Sequence, residues 1–105
     1  MTYPNATITK KANVYYDGDV ISRTVKTADG KTKTLGFMQA GAYTFNATAA
    51  EHMEVLHGEC RVRLEGSEDW HIYSAGESFH VPANSAFDIE VADILDYVCH
   101  YEGEA

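Results

Sequence analysis

Apolar and polar residues alternate with a period of two along most of this chain, and this alternation constrains the fold more than any other feature of the sequence. It is clearest in 60–64 and 87–91, where every second residue is apolar. No stretch carries a sustained helical period, and only Ala47–Ala50 has the composition of a helical turn. We therefore predict an all-β domain of antiparallel strands, each with one apolar face, that closes into a sandwich or small barrel.

Glycine and aspartate mark the turns between the predicted strands. The segment Val20–Val25 leads to Asp29-Gly30, which is a strong hairpin signal, and the next strand is expected to end at Ala40-Gly41. The first dozen residues are polar and have no clear period. We predict a flexible N-terminal arm over 1–12 and one barrel domain over 13–105.

Composition and charge limit what this domain can bind and where it resides. The 105 residues carry a net charge of −8, which makes nucleic acids and anionic membranes poor partners. No apolar run approaches the roughly 20 residues of a membrane span, and the N-terminus lacks the pattern of a signal peptide. A cytoplasmic protein is expected, in which Cys60 and Cys99 are reduced, buried thiols.

Positive charge is concentrated near the N-terminus. Six of the eight Lys and Arg residues lie within 1–33 beside three acids, whereas 34–105 hold two cations and thirteen acids. A basic segment of this kind can dock on the acidic remainder of the domain, or it can line a site for a small anion.

Glu51 interrupts the apolar inward pattern. It is in phase with Met53 and Val55, so its side chain is expected to point inward with theirs. A buried carboxylate is costly unless it is paired, hydrogen-bonded or protonated. Glu51 is therefore either a functional group in the interior or a residue at the start of its strand that reaches solvent.

The spacing of residues 41–87 resembles the two sequence motifs of the cupins. Six residues separate Glu51 from Gly58, as in the first motif, and five separate Gly76 from Pro82, as in the second. The resemblance implies a single-domain cupin, an RmlC-like jelly-roll barrel of antiparallel strands with little or no helix.

The histidines that bind the metal of a typical cupin are missing from the matching positions. The first motif's HxH pair falls on Thr44–Asn46 or Phe45–Ala47, and Asn84 and Phe87 stand where the second motif has glycine and histidine. Glu51 alone remains, and one carboxylate cannot hold a catalytic metal, which typically needs three or more protein ligands. We expect no metal site.

A narrower resemblance rests on an ordered set of strings that spans residues 13–101. The strings are Asn13-Val14-Tyr15-Tyr16-Asp17-Gly18, Gly41-Ala42-Tyr43-Thr44-Phe45, Glu51-His52-Met53, Ala75-Gly76-Glu77-Ser78-Phe79-His80-Val81-Pro82 and Tyr97-Val98-Cys99-His100-Tyr101, with the single Trp70. In these strings the chain resembles the pyrimidine/purine nucleoside phosphorylase family of small cupins.

That resemblance implies a cytosolic homodimer that uses no metal or other cofactor. It implies phosphorolysis of nucleosides, in which inorganic phosphate releases the free base and forms α-D-ribose 1-phosphate. It also implies broad specificity that includes adenosine, guanosine, inosine, uridine, cytidine, thymidine and xanthosine.

Phosphorolysis assigns tasks to the candidate residues. Glu51 is the candidate catalytic residue, as an acid for the departing base, as a charge that stabilises an oxocarbenium-like sugar, or as a ligand of the ribose hydroxyls. Arg23 and Lys33 are the candidates for binding phosphate at the barrel mouth. The candidates for binding the base all face inward, and the alternative for each is that it only packs in the core. They are Tyr43, Phe45, Met53, Phe79, Phe87 and Tyr97.

Two other functional classes fit the same sequence. The chain can be a non-catalytic or metal-binding cupin that binds a small aromatic metabolite, or a structural dimer whose strand edges serve assembly. An inward Glu51 favours the enzyme and the binding module over the structural protein.

Overall fold

A computed structural model describes residues 2–102, which form nine strands and one short 3₁₀ turn. The elements are β1 (Thr7–Ile8), β2 (Asn13–Tyr15), the 3₁₀ turn (Tyr16–Gly18), β3 (Val20–Lys26), β4 (Thr32–Ala47), β5 (Glu51–His57), β6 (Glu59–Leu64), β7 (His71–Ser74), β8 (Ser78–Val81) and β9 (Ser85–Tyr101). All pairings between the strands are antiparallel. The predicted all-β fold class is confirmed, and Thr48 and Ala49 form a bend rather than a helical turn.

Two long strands, β4 and β9, pair along their length and connect the two layers of the barrel. Their register shifts at a bulge, where Gln39 pairs with Ile94 but Gly41 pairs with Val91. The prediction that a strand ends at Ala40-Gly41 is therefore wrong. A bulge increases local bend and twist while the chain stays extended, so a glycine-marked break in alternation is a corner within one strand.

Each half of the β4–β9 pair belongs to a different layer. The first half of β4 and the second half of β9 lie in a layer with β3, β5 and β8. The second half of β4 and the first half of β9 lie in a layer with β6 and β7. The inward side chains of both layers form one core, whose largest fully buried members are Met38, Ile89, Leu95, Val20, Val55 and Val81.

The N-terminal segment, for which we predict a flexible arm over 1–12, contains the short strand β1. Thr7–Ile8 pairs with Val25 and Lys26 of β3, and the Thr9 amide donates a hydrogen bond to the Thr24 carbonyl at 2.9 Å. The outer edge of β3 offers unpaired backbone groups, and a short extended segment satisfies some of them. Within the described part of the chain, no helix is long and apolar enough to cross a membrane.

Candidate active site

The inner faces of β3, β4, β5 and β9 do not fill the barrel at one end, and they leave a cavity of about 140 Å³. Its lining combines aromatic rings with hydroxyl, thiol, amide and carboxyl groups. The lining residues are Tyr15, Ser22, Thr34, Met38, Phe45, Asn46, Glu51, Met53, Phe87, Tyr97, Cys99 and Tyr101.

Glu51 is the carboxyl group of this cavity. It is the first residue of β5, where it pairs with Val81 on one side and Tyr101 on the other, and its side chain is half-buried. Burial raises the pKa of the Glu51 carboxyl above its usual value, and a hydrogen bond with Cys99 lowers it by a smaller amount. The raised pKa keeps the Glu51 carboxyl protonated to higher pH than an exposed glutamate, and in that form it can donate a hydrogen bond or a proton.

The C-terminal half of β9 supplies a row of weak acids beside Glu51. Tyr97, Cys99 and Tyr101 alternate onto the inner face, and Thr34 of β4 hydrogen-bonds to both Cys99 and Tyr101. Burial is the main cause that raises the pKa values of all three β9 groups. These groups are therefore neutral hydrogen-bonding groups near neutral pH.

Gly36 makes room for one of these side chains. It lies opposite Tyr97 across the β4–β9 pair, and a Cβ at this position would be 2.7 Å from the Tyr97 hydroxyl and 2.8 Å from the Ile21 carbonyl oxygen. Any larger residue at 36 would displace the Tyr97 ring or the β3 backbone. The glycine thus leaves the space that the Tyr97 hydroxyl occupies.

Four of the six residues predicted to hold the base line the cavity with Glu51: Phe45, Met53, Phe87 and Tyr97. The Phe45 and Phe87 rings are neighbours, with centroids 5.8 Å apart.

The other two predicted base-binding residues are buried outside the cavity lining. The Tyr43 hydroxyl donates to the Gln39 carbonyl at 2.8 Å, and the Phe79 ring lies 4.8 Å from that of Tyr73. Alternation predicts that an aromatic side chain points inward, but it does not predict whether that side chain packs in the core or lines the cavity. It therefore could not distinguish Tyr43 and Phe79 from the four residues that line the cavity.

The two residues predicted to bind phosphate are not among the cavity-lining residues. The Arg23 side chain is exposed and donates from Nε to the Lys10 carbonyl at 3.3 Å. Lys33 Nζ lies 2.9 Å from His100 Nδ1, and the His100 Nε2 lies 2.9 Å from Glu54 Oε1. His100 and Glu54 are adjacent in sequence to cavity-lining residues of β9 and β5, so their side chains point to the opposite, outer face of the sheet. Because Lys33 contacts His100, it also lies on that outer face.

Sequence reasoning did not assign the polar groups of the lining. Ser22 and Thr34 are only 4% and 6% exposed, although they are polar. The signal was available, because Ser22 is in phase with the apolar Val20 and Thr34 is in phase with Met38. A polar residue at an inward position of an apolar strand face is as informative as Glu51. Tyr15, Asn46, Cys99 and Tyr101 were likewise not assigned to the site.

Metal-binding groups do not converge in the part of the chain that the structure describes. Across residues 2–102, no three His, Cys, Asp or Glu side chains are grouped so as to hold a metal ion. The donors at the cavity are one carboxylate, one thiol and several hydroxyls, which does not match the histidine-rich donor set of a catalytic metal site. Cys60 and Cys99 are free and buried, as predicted.

Comparison with solved structures confirms the cupin fold. An RmlC-like cupin with a double-stranded β-helix fold from Methanocaldococcus jannaschii has a TM-score of 0.65 at 18% identity and covers 89% of each chain. A protein of unknown function from Acinetobacter sp. ADP1 has a TM-score of 0.93 at 45% identity, covering 96% of this chain and 98% of that one.

Sequence comparison identifies the family. The family model described as pyrimidine/purine nucleoside phosphorylase matches residues 10–101. A protein from Cupriavidus taiwanensis with that name is 56% identical over 100 residues, which are 95% of both chains. A protein of the same name from Paraburkholderia xenovorans is 58% identical over 99 residues, 94% of this chain and 93% of that one. The chain belongs to the pyrimidine/purine nucleoside phosphorylase family.

Proposed function

We propose that this protein is a nucleoside phosphorylase, a pentosyltransferase that cleaves purine and pyrimidine ribonucleosides with inorganic phosphate. The products are the free base and α-D-ribose 1-phosphate. The observation that carries the proposal is a single carboxyl group, Glu51, at a cavity lined with aromatic rings, in a chain of this family.

Broad base specificity is supported by the chemistry of the lining. Phe45, Phe87 and Tyr97 offer ring surface, and Met53 offers a polarisable thioether. Stacking on an aromatic ring does not depend on the identity of the base, because every base has a π-face. A cavity that binds the base through rings therefore accepts purines and pyrimidines alike.

Glu51 is proposed as the acid that protonates the departing base. A phosphate oxygen of HPO₄²⁻ forms a bond to the anomeric carbon while the bond from that carbon to the base nitrogen breaks, and the electron pair leaves with the base. The Glu51 proton neutralises the base, and the proton left on the new phosphate ester then returns to the carboxylate. The raised pKa of Glu51 favours this role, because the acid must be protonated when substrate binds.

Phosphate is proposed to bind inside the cavity, next to the sugar. The donors on offer are neutral: the Ser22 and Thr34 hydroxyls, the Asn46 amide and the Tyr101 phenol. Arg23 and Lys33 have partners elsewhere, the Lys10 carbonyl and His100. We therefore propose that the neutral donors, rather than Arg23 and Lys33, bind the phosphate.

We propose that the reaction needs no metal ion. The cavity's one carboxylate falls short of the three or more protein ligands that a catalytic metal typically takes. Treatment with EDTA followed by assay in metal-free buffer tests this directly.

A homodimer is proposed from the outer face of β3 and β4. Ile21, Leu35 and Phe37 are 39%, 38% and 52% exposed there, and Ile21 lies opposite Phe37 in the strand pairing. Clustered apolar side chains on a surface are typical of interfaces, and two-fold dimers are the commonest assembly. Phe37→Glu should convert the dimer to monomer in light scattering. The cytoplasmic location stays a prediction.

The test of the function is direct. Purified, EDTA-treated protein is mixed with inosine or uridine, with and without phosphate, and free base is measured by chromatography. Release that requires phosphate and yields ribose 1-phosphate supports the proposal. Release in the absence of phosphate indicates a hydrolase, and nucleoside binding without release indicates a binding module.

A further inference from the structure

A short segment, Tyr15–Gly18, borders the cavity and is held by a side-chain contact to the backbone of β4; we call it the tyrosine strap. The Tyr16 hydroxyl donates to the Thr44 carbonyl at 2.6 Å and accepts from the Thr44 amide at 3.0 Å. The pairing of β3 with β4 ends at Met38. The Tyr16 hydroxyl therefore satisfies both backbone groups of Thr44 where β3 no longer does.

The strap adopts a backbone conformation that its residues do not favour on their own. Tyr16 and Asp17 have φ values of 50° and 55°, in the left-handed region that residues other than glycine rarely occupy. The Tyr16 ring packs 5.0 Å from that of Tyr43 and 5.7 Å from that of Phe45. The two rings and the Thr44 contact keep the strap in place.

This conformation puts the Tyr15 ring at the cavity. Tyr15 lines the cavity with Glu51, and its ring meets that of Phe45 edge to face, with centroids 6.2 Å apart and an interplanar angle of 89°. Tyr15 is 48% exposed, whereas Phe87 and Tyr97 in the same lining are 3% and 5% exposed. Phe45 and Tyr101 are partly exposed, so Tyr15 is the most exposed ring of the lining and offers the most surface for a ligand to cover.

We propose that Tyr15 is a substrate-binding residue whose ring covers the base of a bound nucleoside at the cavity mouth, and that Tyr16 is the positioning residue that holds it there. The inference rests on the proposed function, because it assigns Tyr15 to the same substrate. Contact through the ring treats purines and pyrimidines alike.

The main test is steady-state kinetics with inosine and uridine at saturating phosphate. Tyr15→Ala should raise KM about tenfold or more for both nucleosides and leave kcat within about threefold, because a ring stacked on the base binds the ground state and the transition state equally. Tyr15→Phe keeps the ring and should keep KM within about twofold of wild type.

The positioning role of Tyr16 is tested by its hydroxyl alone. Tyr16→Phe removes both contacts to Thr44 but keeps the ring on Tyr43 and Phe45, and it should raise KM several-fold at constant kcat. A double variant with Tyr15→Ala should have the same KM as Tyr15→Ala, because the two changes act on one contact. Tyr73→Phe, outside the cavity lining, is the matched control and should match wild type.

Two results would overturn the inference while leaving the proposed function intact. The first is an active wild type and a folded Tyr15→Ala variant with the same KM for both nucleosides. The second is additive effects of the Tyr15 and Tyr16 changes. If wild type releases no base, the proposed function has failed instead. Calorimetric titration with uridine then still tests Tyr15: weaker binding by Tyr15→Ala supports the inference, and equal binding refutes it.

Discussion

The two cysteines of this barrel show how differently its two ends are built. Cys60, on β6, lies in the packed core, where it pairs with Tyr73 on one side and Val91 on the other. Cys99, on β9, lines the cavity and hydrogen-bonds with Glu51. Burial raises the pKa of Cys60 to about 11 and raises that of Cys99 as well. The same residue type is a filler at one end and part of a polar network at the other.

What separates the two ends is the chemistry of the inward positions, since the strand pattern is the same. At the packed end the inward positions of β9 include Ile89 and Val91, which fill the space against β6. At the cavity end they are Tyr97, Cys99 and Tyr101, which leave space and add hydrogen-bonding groups. Apolar packing at one end of the barrel can thus stabilise the fold, while the other end carries the polar groups that a reaction needs. The following variants test that division.

The largest expected effect is on turnover. Glu51→Gln removes the proposed acid and should lower kcat by at least about tenfold, within reach of the 10²–10⁴-fold typical of acid catalysis, while the fold survives. The assay is base release at saturating inosine and phosphate.

Glu54→Gln is the matched control for this variant. Glu54 lies three positions along the same strand and contacts His100 on the outer face, so its removal should leave kcat within about twofold of wild type. Equal turnover by wild type and Glu51→Gln would remove Glu51 from the mechanism.

A second effect is the dependence of kcat on pH. If protonated Glu51 is the acid, kcat at saturating phosphate should fall as pH rises through its raised pKa, by about tenfold per pH unit on the alkaline side. The groups that face Glu51 are Cys99, Tyr97, Tyr101 and Tyr15. Burial raises the pKa values of Cys99, Tyr97 and Tyr101, so these three groups stay neutral in this range. A kcat that rises with pH would indicate a carboxylate role instead.

Stability gives an independent measure of the same pKa. Because the pKa of Glu51 is raised in the folded state, its stabilising contribution is complete below its pKa in the unfolded chain and is lost as pH rises through its folded value. Glu51→Gln should therefore gain in Tm relative to wild type as pH increases. A constant difference in Tm between pH 4 and pH 8 would contradict a raised pKa.

A smaller effect separates the two cysteines. Cys60→Ser places a hydroxyl in apolar surroundings and should lower stability by about 1–3 kcal/mol, because its hydrogen-bonding groups lack partners there. Cys99→Ser has Thr34, Tyr101 and Glu51 as partners and should cost less than about 1 kcal/mol. Urea unfolding of both variants measures the difference. Equal losses would mean that the cavity end is as apolar as the core.

No effect is expected from changes at the outer surface. Arg23→Ala and Lys33→Ala should leave the KM for phosphate within about twofold, because neither side chain lines the cavity. A tenfold rise in the KM for phosphate of either variant would indicate that the substituted cation binds phosphate.

The alternation of apolar residues, together with the positions of Glu51, Gly58, Gly76 and Pro82, determined the fold class and the inward direction of most side chains. These features depend on the two-residue period of an extended backbone, which is local. The same information did not reveal that β4 and β9 each continue through a corner, because a bulge and a turn interrupt alternation in the same way.

Sequence alone set the inward phase of Glu51, whereas only the tertiary structure decided which inward residues share a cavity with it. Phe45 and Phe87 line it and Tyr43 and Phe79 do not, although all four have the same phase on their strands. Tyr15 joins the lining from a separate segment through the contact of Tyr16 with Thr44, 28 residues away. Phase is a property of one strand, but a cavity exists only where several strands meet and fail to fill the space between them.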